Sequence, residues 1–351
     1  MKEEALFGRL AGPIVELGPE AIAELYEQGY FGKPANDKLL LTLVESAYLL
    51  DRGKIEVDDE SGEIDFRKFF ERSSGIEKGF EFRYVVYKDL RERGYYLQPG
   101  VPDFRVYPRG GHPGKTSAEF YVSVVSERMP LSLSDILEPM KVAEQMRKRL
   151  MLAIVDEESD ITYYEARDKT LAGRMGGEIF GGIATLLEDR VALWDAESSA
   201  SLHEKGFYGK PVGGRLQLSL VESAYLLEKA AIELVDRSGA PVSLEEFFER
   251  AREIEEDFNM KFRVYRDLRE RNLVVKTGFK FGSHFRVYKH VESPKKARHS
   301  EYLVHSIPED YVFHLPSISR AVRLAHSVRK QMIFAYGKDC VKYLEMRRLK
   351  P

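Results

Sequence analysis

Leu43-Val44-Glu45-Ser46-Ala47-Tyr48-Leu49-Leu50 is an octapeptide that recurs letter for letter at positions 220–227, which lie 177 residues further along the chain. Four shorter strings recur in the same order. They are Gly32–Pro34 repeated at 209–211, Asp89–Arg93 at 267–271, Phe104–Tyr107 at 285–288 and Arg147–Lys148 at 329–330. An offset that grows from 177 to 182 in loop-sized steps indicates an internal duplication. We therefore expect one architecture built twice.

The duplication predicts four modules and one linker. The predicted bounds are 1–76 and 77–168 for the two modules of repeat 1, 169–190 for the linker, and 191–258 and 259–351 for the two modules of repeat 2. The linker is placed where five glycines cluster, because glycine-rich stretches are typical of flexible connections. These are Gly173, Gly176, Gly177, Gly181 and Gly182.

Both repeats have the same pattern of secondary structure, with helices first and a mixed α/β part after them. In repeat 1, apolar residues from Leu39 to Leu50 fit one helix stripe, which predicts a helix that begins at Asn36 or Asp37 and ends at Gly53. A second helix is predicted to contain Phe66 to Phe70, and a third helix is predicted to end at Gly94. Strands rich in β-branched and aromatic residues follow. The predicted fold class is α+β or mixed α/β, as a tandem duplication with a helical N-terminal module and a mixed-sheet module in each repeat.

The composition is that of a globular protein with an uneven charge distribution. Of 351 residues, 43% are hydrophobic, and no apolar stretch is long enough to span a membrane. The single cysteine, Cys340, favours a reducing compartment, so we expect a cytoplasmic protein without a membrane partner. Residues 276–351 contain 16 Lys and Arg against 6 Asp and Glu, whereas the rest contains 38 against 51. Such a basic segment suits a polyanion, although a solvated basic surface is the alternative.

The two repeats differ at a chemically informative position. Repeat 2 has Tyr288, His299 and Lys330, and the matching positions of repeat 1 hold Tyr107, Ser117 and Lys148. A tyrosine or histidine base, a histidine acid and a lysine cation suffice to cleave RNA without a metal. A tyrosine base needs nearby positive charge to lower its pKa, and this segment is basic. Tyr107 and Lys148 persist, so a residual role for them in repeat 1 stays open.

Other chemistries have less support in the sequence. Six of the eight histidines lie between 284 and 326, but no HExxH pattern occurs and carboxylates are sparse there, so no metal site and no metal cofactor are predicted. No glycine-rich phosphate loop follows a strand, so a nucleotide cofactor is not expected either. Two rival hypotheses remain at this point. One is a non-catalytic scaffold that binds structured RNA, and the other is a metal-dependent DNA nuclease.

Long motifs of repeat 2 resemble the archaeal tRNA-splicing endonuclease family, in its homodimeric tandem-repeat subtype. The motifs are Tyr265–Arg271, Val275–Gly282, His284–Tyr288, His299–Val304 and Ser319–Lys330. The resemblance covers essentially the whole chain. It implies that 77–168 is a non-catalytic nuclease-like module and that 259–351 is the catalytic nuclease module.

The resemblance also implies a substrate and residue roles. The substrate would be precursor tRNA with a bulge-helix-bulge, cut without a metal to leave a 2′,3′-cyclic phosphate and a 5′-hydroxyl. Tyr288 would be the general base, His299 the general acid and Lys330 the transition-state stabiliser. Arg323 and Arg348 would stack on a bulged base, with Arg347 as the alternative to Arg348.

Finally, the resemblance implies a homodimer held by an acidic loop that enters a basic cleft of the partner copy. The loop of repeat 1 contains Asp156, Glu157, Glu158 and Asp160, whereas the matching segment of repeat 2, near Lys338 and Asp339, lacks this charge. Without the resemblance, these acids read as a solvated β-turn.

Overall fold

The computed structural model describes residues 5–60, 62–175, 179–296 and 299–351. The chain divides into two compact units. Unit 1 contains the residues up to 167 together with 312–316 and 348–351, and unit 2 contains 168–311 and 317–347. Among the helices of these described segments, none has the length and apolar character needed to cross a membrane.

Repeat 1 alternates strands and helices along its described residues. Its strands are β1 (Leu6–Ala11), β2 (Ile14–Leu17), β3 (Lys33–Ala35), β4 (Lys38–Thr42), β5 (Ile55–Asp59), β6 (Gly62–Ile64), β7 (Leu97–Pro99), β8 (Phe104–Val106), β9 (Phe120–Ser126), β10 (Leu131–Ser132), β11 (Arg149–Val155) and β12 (Ile161–Asp168). Its helices are α1 (Glu27–Gly29), α2 (Leu43–Asp51), α3 (Phe66–Ile76), α4 (Phe80–Glu92) and α5 (Leu133–Gln145).

Repeat 2 repeats this order with few changes. Its strands are β13 (Ile183–Leu186), β14 (Val191–Leu193), β15 (Lys210–Val212), β16 (Arg215–Leu218), β17 (Glu233–Val235), β18 (Val274–Thr277), β19 (Phe285–Tyr288), β20 (Tyr302–Ser306), β21 (Val312–Phe313), β22 (Gln331–Tyr336) and β23 (Lys342–Leu349). Its helices are α6 (Ala196–Ala200), α7 (Leu220–Glu228), α8 (Leu244–Ile254), α9 (Phe258–Glu270) and α10 (Leu315–Ser327).

The N-terminal module of each repeat is built on a sheet, so the prediction of a helical module is wrong. In repeat 1 the strand order is β3-β4-β2-β1-β5-β6, and in repeat 2 it is β15-β16-β14-β13-β17. Leu39 and Leu41 of β4 are fully buried, whereas Lys38, the first residue of the strand, is exposed and Leu40 is half-buried. This alternation is the period of a half-buried strand. The spacing of the apolar residues from Leu39 to Leu50 fits one continuous helix, but it also fits a strand that is followed by a helix.

The predicted start of the first helix is wrong for the same reason. Asn36 and Asp37 have φ of 49° and 60°, and they form the two-residue hairpin turn between β3 and β4. The helix begins after Thr42, whose side chain accepts a hydrogen bond from the backbone N–H of Glu45 while the Glu45 carboxylate accepts one from the Thr42 N–H. This is a capping box. Ser219 and Glu222 form the same box at the start of α7.

The C-terminal modules confirm the mixed α/β class. In unit 1, β9 and β11 are parallel neighbours, with β8 antiparallel to β9 and β12 antiparallel to β11. In unit 2, β20 and β22 are the parallel pair, flanked by β19 and β23. Parallel neighbours need a crossover connection, and α5 and α10 lie in the two crossovers.

The predicted linker at 169–190 extends too far, because β13 lies inside it. Ala184 and Leu186 of that strand are buried, and β13 pairs with β14 and β17. Gly173 of the predicted linker lies in close contact with a neighbouring backbone segment. A Cβ on Gly173 would lie 2.0 Å from the carbonyl oxygen of Asn272. Gly176 and Gly177 lie outside the described residues.

Candidate active site

Three strand ends meet at one edge of the sheet in the C-terminal module of unit 2. β19 ends at Tyr288 and is antiparallel to β20, so the end of β19 lies beside the start of β20. β22 is parallel to β20, with Gln331 opposite Tyr302, so the start of β22 lies at the same edge. The topology therefore brings together Tyr288, His299 just before β20, and Lys330 just before β22.

A cavity of about 820 Å³ opens at this edge. Tyr288, His299 and Lys330 all line it. The other lining residues are Phe207, Phe281, Arg286, Ser300, Ser327, Val328 and Arg329. The His299 side chain is exposed, so its imidazole is accessible to a molecule in the cavity. A phenol, an imidazole and an ammonium group thus share one cavity, which is the set that acid–base cleavage of a phosphodiester needs.

Tyr288 is buried in this cavity wall and is only 6% exposed. Burial raises the pKa of its phenol above 10, although the guanidinium of Arg286, 6.0 Å from the ring centroid, opposes the shift, and Glu301 adds to it. The expectation that basic surroundings lower this pKa is therefore wrong for the free protein. Among the described residues, no side chain or backbone group is hydrogen-bonded to the Tyr288 hydroxyl, so the oxygen is available to a substrate.

Lys330 lies three residues after the last residue of α10, Ser327. Arg329 has a φ of 57°, and the N–H of Lys330 donates to the Ala325 carbonyl at 2.8 Å, which ends the helix in a left-handed turn. The Lys330 Nζ donates to the carbonyl oxygen of Ser300 at 2.8 Å. Burial lowers the pKa of Lys330, the charge of Arg286 lowers it further, and Glu301 partly offsets both. The turn and the hydrogen bond hold the ammonium group beside the His299 segment.

The corresponding edge of repeat 1 has a different set of contacts. The Tyr107 hydroxyl donates to Oε1 of Gln98 at 2.6 Å, and burial raises its pKa. Ser117 is exposed and replaces the imidazole. Arg149, directly after Lys148, is ion-paired with Glu119 at 2.6 Å and with Glu165 at 2.8 Å. In repeat 1 the phenol is thus engaged by a neighbouring side chain.

The sequence did not single out Arg286, Phe207 and Phe281, which the structure places in the wall of the cavity. Arg286 is the second residue of the duplicated Phe285–Tyr288 string. It lies two residues before Tyr288, and residues two apart share one face of a strand, so this spacing was the available signal. Its Nε is buried without a hydrogen-bond partner among the described residues. Phe207 comes from the N-terminal module, 81 residues before Tyr288, and no local pattern connects the two.

The predicted RNA-binding arginines have exposed side chains. Arg323 lies on α10, and it does not line the cavity. Arg347 and Arg348 are consecutive residues of β23, so their side chains point to opposite faces of the strand. Exposure of both leaves the choice between them open.

The predicted acidic loop is a tight turn between β11 and β12. The Asp156 carboxylate accepts hydrogen bonds from the backbone N–H groups of Glu158 and Asp160, at 3.0 and 2.8 Å, and Glu157 is ion-paired with Arg128. Glu157, Glu158 and Asp160 are exposed. The turn therefore presents an internally hydrogen-bonded, negatively charged tip.

Among the residues that the structure describes, no group of three or more His, Cys, Asp and Glu side chains could hold a metal ion.

The sequence model of the tRNA intron endonuclease catalytic C-terminal domain matches residues 80–163 and 258–343, and that of the N-terminal domain matches 7–70 and 182–248. The chain belongs to the tRNA intron endonuclease family. It is an enzyme of that family, and the resemblance drawn from the sequence is confirmed, including the duplication.

Relatives of this endonuclease chain match it over nearly its full length. A tRNA-splicing endonuclease of Methanococcoides burtonii is 54% identical over 94% of this chain and 96% of the relative. One of Methanosarcina mazei is 54% identical over 97% and 98%. One of Halobacterium salinarum is 38% identical over 98% and 99%. Each is named a tRNA-splicing endonuclease.

Proposed function

We propose that this chain removes introns from precursor tRNA by cutting the RNA at a bulge-helix-bulge. It does so without a metal and leaves a 2′,3′-cyclic phosphate and a 5′-hydroxyl. Family membership supports the substrate class. The observation that carries the chemistry is that Tyr288, His299 and Lys330 line one cavity in repeat 2, whereas repeat 1 has Ser117 in place of the imidazole.

The proposed reaction is a transesterification at phosphorus. The Tyr288 phenolate takes the proton of the ribose 2′-OH, the 2′ oxygen forms a bond to phosphorus, and the bond from phosphorus to the 5′ oxygen breaks. The protonated imidazole of His299 gives its proton to the leaving 5′ oxygen. The Lys330 ammonium group stabilises the extra negative charge on the five-coordinate phosphorus. Exchange with water then returns both groups to their starting forms.

The raised pKa of Tyr288 gives this scheme a testable pH dependence. Because burial raises the pKa of the Tyr288 phenol above its ordinary value, the neutral phenol predominates near neutral pH. In a His299→Ala variant, the residual rate then depends on the phenolate alone. We expect that rate to rise by roughly tenfold per pH unit between about pH 7 and about pH 9, because the phenolate fraction rises by that factor. A residual rate independent of pH would exclude Tyr288 as the base.

We further propose that positive charge around the cavity and at its exterior orients the RNA. Arg286 adds a second cation beside Lys330 in the cavity wall. Arg323 and either Arg348 or Arg347 would stack on a bulged base, a contact worth about 1–3 kcal/mol. Arg323→Ala should weaken binding of bulged RNA more than binding of a perfect duplex. Arg320→Ala on the same helix is a matched control for loss of one charge.

Assembly into a homodimer is the second part of this proposal. Asp156, Glu157, Glu158 and Asp160 would enter a basic cleft of the partner copy. A wild-type dimer has about 80 kDa, twice the 40.3 kDa of the chain. Replacing Glu157, Glu158 and Asp160 by alanine should yield a monomer in light scattering. Asp156 is kept in this variant because it organises the turn. A triple variant that remains dimeric would exclude this loop as the contact.

The deciding experiment compares His299→Ala with Ser117→Ala, its matched control in repeat 1, on a bulge-helix-bulge RNA with excess EDTA. We expect wild type and Ser117→Ala to cleave the RNA and His299→Ala to lose about 10²- to 10⁴-fold in rate. The products should carry a 2′,3′-cyclic phosphate. RNA binding without cleavage by wild type would favour the non-catalytic scaffold instead, and activity that requires added Mg²⁺ would favour the metal-dependent nuclease.

A further inference from the structure

The loop at 206–209 brings an aromatic ring of the N-terminal module of repeat 2 into the catalytic cavity. Phe207 lines that cavity together with Tyr288, and the two rings meet edge to face, with centroids 6.1 Å apart and an angle of 67° between planes. Phe207 also packs against the small apolar cluster of Val274, Tyr288 and Val291. It is thus one of the groups that cover the buried phenol ring.

The backbone holds Phe207 in an uncommon conformation. Its φ is 55°, in the left-handed region that non-glycine residues rarely adopt. The buried Arg269 and the largely buried Lys276 hold the loop in this conformation. Nη2 of Arg269 donates to the Gly206 carbonyl at 2.8 Å, and the Lys276 Nζ donates to the carbonyls of Phe207 at 3.2 Å and Gly209 at 2.8 Å. Strained residues persist where the surroundings fix them and are concentrated at functional sites.

Repeat 1 has the same loop but directs its ring elsewhere. Tyr30 occupies the position of Phe207 with a φ of 57°. Its ring stacks on His112, with centroids 4.6 Å apart, and meets Tyr96 edge to face at 5.1 Å. At the position of Lys276 in repeat 2, repeat 1 has Gln98, whose Oε1 accepts a hydrogen bond from the Tyr107 hydroxyl. The exchange of Gln98 for Lys276 therefore leaves the Tyr288 oxygen without this hydrogen bond and adds the lysine contacts to the Phe207 loop.

We infer that Phe207 is a positioning residue for Tyr288, through which the N-terminal module sets the orientation of the general base. The inference rests on the proposed role of Tyr288. A phenylalanine ring cannot exchange a proton, so its contribution is to restrict the tilt of the phenol and to keep water from its edge. Misplacement of a reacting group by about 1 Å lowers a rate by up to roughly 100-fold.

The test measures single-turnover cleavage and RNA affinity separately for Phe207→Ala. We expect the cleavage rate to fall roughly 10- to 100-fold while the dissociation constant of the RNA stays unchanged. Phe207→Tyr, which keeps the ring, should retain the wild-type rate. Tyr30→Ala, which removes the ring at the matching left-handed position of repeat 1, should cleave like wild type. If Phe207→Ala does not fold by circular dichroism, Phe207→Leu takes its place.

A double-mutant cycle with Tyr288→Phe decides whether Phe207 acts through the phenol. If it does, adding Phe207→Ala to Tyr288→Phe lowers the rate no further. Losses that multiply, a wild-type rate in Phe207→Ala, or a loss confined to RNA affinity would each overturn the inference. If Tyr288→Phe itself cleaves like wild type, the proposed base is wrong, and this result is distinct from the failure of Phe207 alone.

Discussion

Lys276→Gln removes a buried cation and puts in its place the residue that repeat 1 has at the matching position. The Lys276 Nζ is ion-paired with Glu222 at 3.0 Å, and the two side chains are 11% and 8% exposed. The same Nζ donates to the carbonyls of Phe207 and Gly209. The substitution therefore leaves a buried carboxylate without its cation and two carbonyls without a donor.

The size of the loss follows from burial and from the contacts that remain. Removing one partner of a buried ion pair costs about 3–5 kcal/mol in free energy of unfolding. Glu222 retains hydrogen bonds from the N–H groups of Gly209 and Ser219, as Glu45 does from Gly32 and Thr42 in repeat 1. Because these contacts survive, we expect the lower end, about 3 kcal/mol near neutral pH.

The loss should depend on pH with a defined sign. Burial raises the pKa of Glu222, but the charge of Lys276 and the N–H of Ser219 outweigh it, so the pKa lies below 4.5. The stabilisation is present above 4.5 and is lost as the pH falls through the folded-state pKa. Glu45, which has no such lysine, has a raised pKa because burial dominates. In Lys276→Gln, Glu222 should behave like Glu45 and bind a proton more readily, so the difference from wild type shrinks on acidification.

Urea unfolding followed by circular dichroism at about pH 7 and about pH 4, below the ordinary carboxyl pKa, measures both quantities. Lys38→Gln is the control, because the pair of Lys38 and Glu16 is 56% and 33% exposed and should contribute less than about 1 kcal/mol. A loss in Lys276→Gln that is no larger than in the control, or that is equal at the two pH values, would refute the argument.

Four further predictions concern single residues. Gly337 has a φ of 110°, and a Cβ there would lie 2.2 Å from the Cys340 carbonyl oxygen, so Gly337→Ala should destabilise by about 2 kcal/mol or more in urea unfolding. Gly12→Ala, at a φ of 61° with no atom within 4 Å, should cost only about 1 kcal/mol. Ser219→Ala should lower the unfolding free energy by about 1 kcal/mol, because α7 loses its cap. Burial and the neighbouring His305 lower the pKa of His284 to about 4, so His305→Ser should raise it in an NMR titration, and an unchanged pKa would exclude the coupling.

Local sequence patterns were sufficient to predict the helices and strands whose apolar residues follow a single periodicity. The helices around Phe69 and before Gly94 and the strand from Phe120 are present in the structure. The N-terminal sheets were missed because Leu39 and Leu41 of a strand run directly into the apolar face of α2. Gly213 and Gly214, the hairpin turn of repeat 2, mark the same turn more clearly than Asn36 and Asp37 do.

The candidate site shows the same division between local and long-range information. Comparing the two repeats brought Tyr288, His299 and Lys330 together from sequence alone, and their catalytic roles stay predictions. The contribution of Phe207 depends on a tertiary contact with a distant strand, which no spacing rule encodes. The direction of the Tyr288 pKa was also missed, because counting basic residues measures charge but not the burial that outweighs it.

The exchange between Gln98 and Lys276 has an evolutionary consequence. Under the proposed assignment of catalysis to repeat 2, a single Ser117→His change is the simplest route to a second centre in repeat 1. In this chain, a histidine at position 117 would face a phenol whose oxygen is already occupied by Gln98 and an aromatic ring that is turned toward His112. A second centre in repeat 1 would therefore require changes at Gln98 and Tyr30 as well as at Ser117, so the proposed division of labour between the repeats does not reverse through a single substitution.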